Sequence, residues 1–555
     1  MLSNSEISRL FGLYAELLQL HGQDEAFSDR LAGASYRLRR METPVLGMAA
    51  GELKSLFNPA IIAVLSEIKE NGTIAAMDEL VELTPSGLFD MMRIKGLGGK
   101  KLSYLWRSAK IDTVEQLLEA AKAGRIAKLK GFGVKTEQNI IAAIEAFNDN
   151  QASFHYADVA DAADGLVTGL QMLFKTKLCS LSGNIRRKTT TVDCIELIIA
   201  LPPAKLKHPS LKKWLVNTRT KGMETTAFTP DEFPVSIYHT TKEAFYTALF
   251  QRTGSEAHVS KVTSKLKTLA SYSSEETLYA KAKLPFIPPE LREDLAEWQY
   301  AKHPQPLISD DDVKGVVHNH TTWSDGVDSL EPFVKACKKK GYEYVVISDH
   351  SKNAHYAGGL KPDKVLRQME AIDALNKTLS PFKVFKSIEC DILVSGGLDY
   401  DAALLKEFDM VIISIHQQLK MQEEKATARL IKAIENPYTT ILGHMTGRQL
   451  LVRPGYPVNF KKVIDACVAN GVVIEVNANP YRLDVDWTHI PYALEKGVMI
   501  SINPDAHSIY EIDNIHWGVC AARKGGLTKE MTWNAQPLAF IEKWIKKRKL
   551  HKRAK

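Results

Sequence analysis

The pattern of apolar and polar positions separates an N-terminal part with helical periodicity from a C-terminal part of short apolar runs. Near the start, apolar residues recur three and four positions apart, which predicts an amphipathic helix; they are Ile7, Leu10, Phe11, Leu13, Tyr14, Leu17 and Leu18. Another helix is predicted over residues 34–40, and a third from Pro59 to Ile68, which Asn71-Gly72 ends. We therefore expect a helical region over residues 1–90.

Seven apolar runs in the C-terminal part have the length of buried strands. Helix-like segments separate them, and such alternation is typical of a parallel sheet. If the sheet closes into a barrel, the carboxyl ends of all its strands share one face, where barrel enzymes keep their sites. The runs occupy residues 315–320, 344–349, 383–388, 410–415, 440–443, 472–479 and 498–504.

Most of these runs end in residue types that bind metal ions. His318 and His320 lie two positions apart, so their side chains point to the same side of a strand, and Asp325 can reach back from the next turn. Any one of these residues alone would more often be structural. Together they predict a metal centre with nine ligands, which are His318, His320, Asp325, His350, Glu389, His416, His444, Asp505 and His507.

The order HxH…D, SDH, lone Glu, SIH, GH and DAH resembles the PHP (polymerase and histidinol phosphatase) family over residues 313–548. The resemblance implies an α/β domain built as a distorted (β/α)7 barrel with three divalent metal ions. It implies three ligand sets, which are His318, His320, Glu389 and Asp505; Glu389, His416 and His444; and Asp325, His350 and His507.

Histidine-rich sites with a bridging carboxylate favour Mn²⁺, Zn²⁺ or Fe²⁺ over Mg²⁺ and Ca²⁺. The reaction implied by the resemblance is phosphoester hydrolysis, a Mn²⁺-dependent 3′–5′ exonuclease in the bacterial family, with Glu389 and His416 at its centre. Arg448 and Arg482 follow strand ends and are candidate phosphate contacts; surface ion pairs are the alternative.

Two short glycine loops in the N-terminal part resemble the helix-hairpin-helix pattern. Each places GxG between an apolar residue and a lysine-bearing helix, so that backbone N–H groups can approach a phosphate. Such contacts hold DNA without reading its sequence. The predicted DNA-binding residues are Gly96, Gly98, Lys100, Gly131, Gly133 and Lys135.

The residues between 151 and 290 resemble the palm of family X DNA polymerases, an α+β nucleotidyltransferase-like domain. Gly183, Arg186 and Arg187 match the phosphate loop, and Thr253-Gly-Ser follows at the expected distance. Together with the two hairpins and the PHP motifs, this layout resembles the bacterial PolX family over nearly the whole chain.

The metal-binding positions of this palm depart from the family pattern. Cys194 and Glu196 stand where the family has Asp-x-Asp, and the third position falls on Ser236. A neutral thiol and a hydroxyl are poor ligands for Mg²⁺, which prefers carboxylate oxygens. We therefore expect polymerase activity to be lost or weak.

Composition adds little to these motifs. A net charge of +7 permits a phosphate-rich partner, and six scattered cysteines fit reduced thiols in the cytoplasm. We expect no signal peptide and no membrane segment. The sequence leaves the oligomeric state open.

The predicted domains are residues 1–90, 91–150, 151–290 and 313–555, with a proline-rich linker at 291–312. The favoured function is that of a DNA repair enzyme that processes DNA ends. In it the hairpins and the palm would bind the DNA and direct one strand to the PHP centre. The alternatives are an active family X polymerase, a phosphomonoesterase of the histidinol-phosphate type, and a DNA-binding scaffold without catalysis.

Overall fold

The structure is a computed structural model that describes residues 4–38, 41, 43–92, 94, 96–150 and 153–553. The chain divides into two compact units, residues 1–151 and 152–555. None of the helices in these ranges combines the length and the apolar character that crossing a bilayer requires.

The first unit is helical in its described residues. The predicted apolar face of the first helix is confirmed, since Ile7, Phe11 and Leu17 are fully buried. The glycine loops lie between helices, where they begin α7 and α9. The helices are α1 (Asn4–His21), α2 (Glu25–Leu38), α3 (Ala50–Leu56), α4 (Pro59–Asn71), α5 (Ala75–Glu82), α6 (Ser86–Met92), α7 (Gly99–Arg107), α8 (Val114–Lys122) and α9 (Val134–Asn150).

The second unit begins with a central region, residues 153–290, built on a mixed sheet. Its strands follow the order β2-β4-β7-β6-β5, in which only β4 and β7 are parallel. The elements are β1 (Phe154–His155), α10 (Tyr156–Phe174), β2 (Cys179–Leu181), α11 (Gly183–Arg186), β3 (Thr191–Val192), β4 (Ile195–Ile199), β5 (Val216–Lys221), β6 (Glu224–Phe228), β7 (Pro234–His239), α12 (Phe245–Thr253), α13 (Glu256–Thr263) and α14 (Glu275–Lys281).

The segment predicted as a linker is packed against its surroundings. It contains helix α15 (Glu297–Lys302), and the side chains of Leu291 and Ile308 are fully buried. Prolines keep its helix short. Residues 152–555 therefore form one compact unit.

The C-terminal region, residues 313–553, alternates parallel strands with helices, as predicted. Each of the seven predicted runs contains a strand, and one further strand, β11, follows directly after the third run. The elements are β8 (Gly315–Asn319), α16 (Leu330–Lys339), β9 (Tyr344–Ile347), α17 (Pro362–Leu379), β10 (Lys383–Lys386), β11 (Glu389–Asp391), α18 (Ala402–Leu405), β12 (Ile412–Ser414), α19 (Glu423–Ile434), β13 (Ile441–Leu442), α20 (Phe460–Asn470), β14 (Val473–Asn477), α21 (Ile490–Glu495), β15 (Ile500–Asn503), α22 (Ile515–Lys524) and α23 (Leu538–Arg553).

These strands form two parallel sheets, ordered β10-β9-β8 and β11-β12-β13-β14-β15. Single parallel bridges join them, one between Asn319 and Ala506 and one between His350 and Glu389. Apolar residues on both faces are buried, which explains why the strands read as continuous apolar runs rather than alternating ones. The carboxyl ends of the strands consequently bring the predicted ligands together.

Candidate metal centre

Glu389 begins β11 and lies at the middle of the predicted ligand set. Its carboxylate lies within 4 Å of ring nitrogens of five histidines, with the shortest contact to His444 Nε2 at 2.9 Å. The remaining distances run from 2.9 to 3.7 Å, to His350 Nδ1, His416 Nε2, His318 Nε2 and His320 Nε2. Its side chain is 1% exposed, so these histidines replace solvent around a buried carboxylate.

Two further carboxylates share the same histidines. Asp505 Oδ1 lies 3.1 Å from His320 Nε2 and 3.6 Å from His318 Nε2. Asp325 Oδ2 lies 3.5 Å from His507 Nε2 and 3.6 Å from His350 Nε2. The structure thus brings all nine predicted ligands into one cluster.

The backbone is strained where the ligands are delivered. His318 and Asp505 adopt positive φ angles of 65° and 52°, a region that residues with a side chain rarely occupy. Such conformations persist where the surrounding fold holds them, and they concentrate at functional sites.

The electrostatics of the cluster keep its carboxylates ionised. Burial alone would raise the pKa of Glu389, but His416 and His318 outweigh it and hold that pKa well below its ordinary value. Burial and the neighbouring His507 lower the pKa of His320 to about 3. Burial alone would lower the pKa of His416, but Glu389 outweighs it and raises that pKa to about 10. Because neutral imidazole is the form that binds cations, a bound ion would displace the proton from this ring.

The residues fit a group of divalent ions. Four buried ring nitrogens make no hydrogen bond within the described part of the chain, and they are His318 Nε2, His320 Nδ1, His350 Nδ1 and His444 Nδ1. Buried polar atoms without a partner are uncommon and indicate an ion or other ligand. Ligand atoms within 4.8 Å of one another form three groups, which are His320, Asp325, His350 and His507; His318, His320 and Asp505; and His350, Glu389 and His416.

The two predicted phosphate contacts occupy different surroundings. Arg482 Nε lies 3.9 Å from Asp505 Oδ2, at the edge of the centre, with its side chain 23% exposed. Arg448 instead pairs with Asp486 and donates to the carbonyl oxygens of Arg482 and Leu483. Arg448 therefore holds the loop that carries Arg482.

Both glycine loops of the first unit have the same backbone form. Gly96 and Gly131 have φ angles of 89° and 85°, which favour glycine, and the second glycine of each loop directly precedes a helix. A side chain added at Gly98 or Gly133 would meet no atom within 4 Å among the described residues. The backbone at these helix starts is therefore open to a ligand.

Two predicted polymerase positions lie on neighbouring strands of the central sheet, and Cys194 directly precedes β4. Glu196 on β4 is directly paired in register with Ser236 on β7. Burial and Glu196 raise the pKa of the Cys194 thiol to about 12, which keeps it neutral. Ser236 Oγ donates to Glu224 Oε1 at 2.7 Å.

The phosphate-loop residues are engaged in internal contacts. Glu196 Oε2 accepts from the backbone N–H of Asn184 at 3.1 Å and lies where any side chain at Gly183 would collide with it. Arg186 forms an ion pair with Glu275, and Arg187 forms one with Glu293.

Comparison with known proteins identifies the family. A SAM-like helix-hairpin-helix tandem matches residues 89–146, and a PHP domain matches residues 317–479. The chain is 32% identical to the DNA polymerase/3′-5′ exonuclease PolX of Bacillus subtilis (strain 168), over 98% of this chain and 99% of that protein. The chain belongs to the PolX family.

Part of this PolX-family chain is also similar to smaller proteins. It is 26% identical to a probable phosphatase of Thermoanaerobacter sp. (strain X514), over 42% of this chain and 94% of that protein. A probable phosphatase of Acetivibrio thermocellus is likewise 26% identical, over 43% of this chain and 98% of that protein.

Three buried carboxylates around the centre escaped the sequence analysis. Glu475 accepts from His318 Nδ1 at 2.6 Å, and Asp391 lies 2.6 Å from His416 Nδ1. Asp349 accepts from the backbone N–H groups of Thr321 and Ser324, which fixes the turn after His320. The available signal was a charged residue within or just after an apolar run, since such a residue needs a partner when buried.

Proposed function

We propose that this PolX-family protein removes nucleotides from the 3′ ends of DNA at the cluster around Glu389. The observation that carries the proposal is that one buried carboxylate lies within 4 Å of five histidines, beside two further carboxylates. In our proposal the C-terminal strands form the distorted (β/α)7 barrel, which the two bridges between the sheets support.

The cluster would hold three divalent ions, with Mn²⁺ the best match to its ligands and Zn²⁺ or Fe²⁺ next. The ligand sets are those predicted above, with Glu389 shared, and His320 facing Asp505 through Nε2 and Asp325 through Nδ1. When bound, the ions polarise a phosphoryl oxygen, lower the pKa of a water molecule and stabilise the leaving oxygen.

The protein's own residues fix the geometry of the centre. Asp391 accepts a hydrogen bond from His416 Nδ1, so that His416 Nε2 faces Glu389. Glu475 accepts in the same way from His318 Nδ1, so that His318 Nε2 also faces Glu389. Such partners orient ligating histidines and raise their basicity. Arg482, at the edge of the cluster, is proposed to contact the phosphate of the DNA strand.

DNA is the proposed substrate because the first unit carries two open helix-hairpin-helix loops. Small phosphate esters would leave these loops without a role. The similarity to probable phosphatases nevertheless makes a phosphomonoesterase the second candidate. To test the loops, Gly98→Val and Gly133→Val place side chains in open space, so folding should persist while DNA affinity falls about tenfold, as expected when backbone–phosphate contacts are lost.

Polymerase activity is proposed to be lost or weak. Cys194 and Ser236 supply a neutral thiol and a hydroxyl where cations need carboxylates. Glu196 is occupied by the N–H of Asn184, and Arg186 and Arg187 by glutamates. A triphosphate would have to displace these contacts before it could bind.

The experiment uses a 5′-labelled duplex with a recessed 3′ end, Mn²⁺, and reactions with and without dNTPs. Wild-type protein should shorten the strand in both reactions, and His318→Ala/His320→Ala should leave it intact. Extension with dNTPs that disappears in Glu196→Ala would overturn the proposed loss of polymerase activity. Hydrolysis of a generic phosphomonoester that competing DNA does not inhibit would favour the phosphomonoesterase.

A further inference from the structure

The loop at residues 479–486 follows β14 and presents Arg482 to the metal centre. We call it the Arg482 loop. Contacts from the C-terminal region hold one side of it, since Leu450 N–H donates to the Tyr481 carbonyl at 2.8 Å and Thr446 N–H donates to Asp484 at 2.9 Å. Arg448 adds the contacts described above. The position of Arg482 thus depends on how firmly this loop is held.

The central region contacts the other side of the same loop. The ring of Tyr481 packs edge-on against His155, with ring centroids 4.8 Å apart and planes at 90°. The Tyr481 hydroxyl donates to Asp158 Oδ1 at 3.3 Å. His155 lies in β1 and Asp158 in the first turn of α10, both at the start of the central region.

His155 completes a closed set of contacts. Its Nδ1 lies 3.1 Å from Asp158 Oδ2, and its Nε2 lies 3.1 Å from the Leu450 carbonyl oxygen. Leu450 in turn donates to Tyr481, so each ring nitrogen of His155 lies within hydrogen-bond distance of an acceptor while the ring packs against Tyr481.

The Arg482 loop itself packs closely against the central region beside these contacts. The cavity between Pro480 and Leu483 of the loop and Tyr156 and Lys188 of the central region has a volume of only about 10 Å³. That volume is about the size of one water molecule, so the loop packs closely at this point. A larger cavity of about 850 Å³ lies farther along, between the central region and Asp513, Asn514, His516 and Trp517. Movement of the central region would therefore be transmitted to the Arg482 loop.

We infer that His155, Asp158 and Tyr481 form a brace by which the central region positions Arg482 at the metal centre. The inference rests on the proposed function for the role of Arg482. It gives the degenerate palm a task in hydrolysis, as a positioning module for the phosphate contact. The three brace residues are positioning residues, because they act through Arg482.

The test is a double-mutant cycle between His155→Ala and Arg482→Ala on the full chain. Misplacing a positioning group by about 1 Å can cost about 100-fold in rate. We expect His155→Ala to lower kcat/KM for DNA about tenfold, and to cause no further loss in the Arg482→Ala background, since coupled residues are non-additive. Equal losses in both backgrounds would overturn the brace.

A second readout does not depend on catalysis. Hydrogen exchange of residues 479–486 should become about tenfold faster in His155→Ala, because local opening costs less when packing contacts are lost. Tyr481→Phe, which keeps the ring, should change it about twofold or less. The matched control is His208→Ala, at an exposed histidine of the central region for which no contact with the loop is described. Unchanged exchange in His155→Ala would contradict the inference.

The two proposals can fail separately. Catalysis is measured on DNA and on bis(4-nitrophenyl) phosphate. Wild-type protein inactive on both substrates in Mn²⁺ would refute the proposed function, and the exchange measurement would then decide the brace alone. Active protein with additive losses would refute the brace and leave the proposed function standing.

Discussion

Replacing Glu475 with glutamine is expected to weaken metal binding without opening the fold. Each carboxylate oxygen accepts two hydrogen bonds: Oε2 from His318 Nδ1 and Asn503 Nδ2, and Oε1 from the His444 N–H and Asn477 Nδ2. A glutamine retains one of these oxygens and turns an amide group toward the other two donors. Two of the four hydrogen bonds are therefore lost in either orientation.

The size of the effect follows from the position of Glu475. Loss of two buried hydrogen bonds costs about 1–3 kcal/mol each, so unfolding free energy should fall by about 2–6 kcal/mol. Changing a residue that orients a ligating histidine typically weakens metal affinity 10–100-fold, or about 1.4–2.7 kcal/mol. Because His318 loses its charged partner, Mn²⁺ affinity should fall more in Glu475→Gln than after the same substitution at a glutamate away from the metal centre.

The assay is a Mn²⁺ titration against a competing chelator, with Tm measured in parallel. The matched control is Glu495→Gln, the same chemical change at a side chain that is 71% exposed in the same region. We expect the control to bind Mn²⁺ like wild-type protein. Affinity within twofold of wild type in Glu475→Gln would refute the assigned role of this carboxylate.

Three further predictions concern stability and substrate. Lys524 is fully buried against Glu293, which keeps its ion pair with Arg187, so Lys524→Met should lower the unfolding free energy by about 1.5–3 kcal/mol in a denaturant titration; a change below 1 kcal/mol would contradict this. Burial alone would raise the pKa of Glu275, but Arg292 outweighs it and lowers that pKa below 4.5. The stability that ionised Glu275 contributes is therefore complete above about pH 4.5, and it is lost as the pH falls through the pKa of Glu275 in the folded protein. The unfolding free energy of Glu275→Gln should therefore fall less steeply with decreasing pH than that of wild-type protein. Identical pH profiles of the two proteins would contradict this prediction. Tyr356, 69% exposed beside His350, should stack a DNA base: Tyr356→Ala should raise KM for DNA about fivefold or more, Tyr356→Phe should not, and equal effects would contradict stacking.

The strands and the ligand set were predictable because both follow local rules. Parallel strands buried on both faces produce apolar runs, and the residue after each run lies at the shared edge of the sheet. His350, His416 and His444 could thus be assigned to one site without knowledge of the fold. The glycine loops were predictable for the same reason, because the positive φ at Gly96 and Gly131 favours glycine at those positions of the sequence.

The remaining features depend on contacts between distant positions. Glu475 lies in the middle of a strand, and nothing near it in sequence indicates that His318 is its partner. Arg448 follows a strand end as a phosphate contact would, but Asp486 and two carbonyl groups engage it. The predicted linker is packed because its apolar residues meet other elements, whereas the prolines indicate only that long helices are interrupted.

Mass analysis of the products from a 3′-recessed duplex in Mn²⁺ and dNTPs tests the central claim most directly. The account predicts a ladder of shortened strands with release of deoxynucleoside monophosphates, absent in His318→Ala/His320→Ala. An elongated strand, or release of inorganic phosphate from intact strands alone, would contradict it.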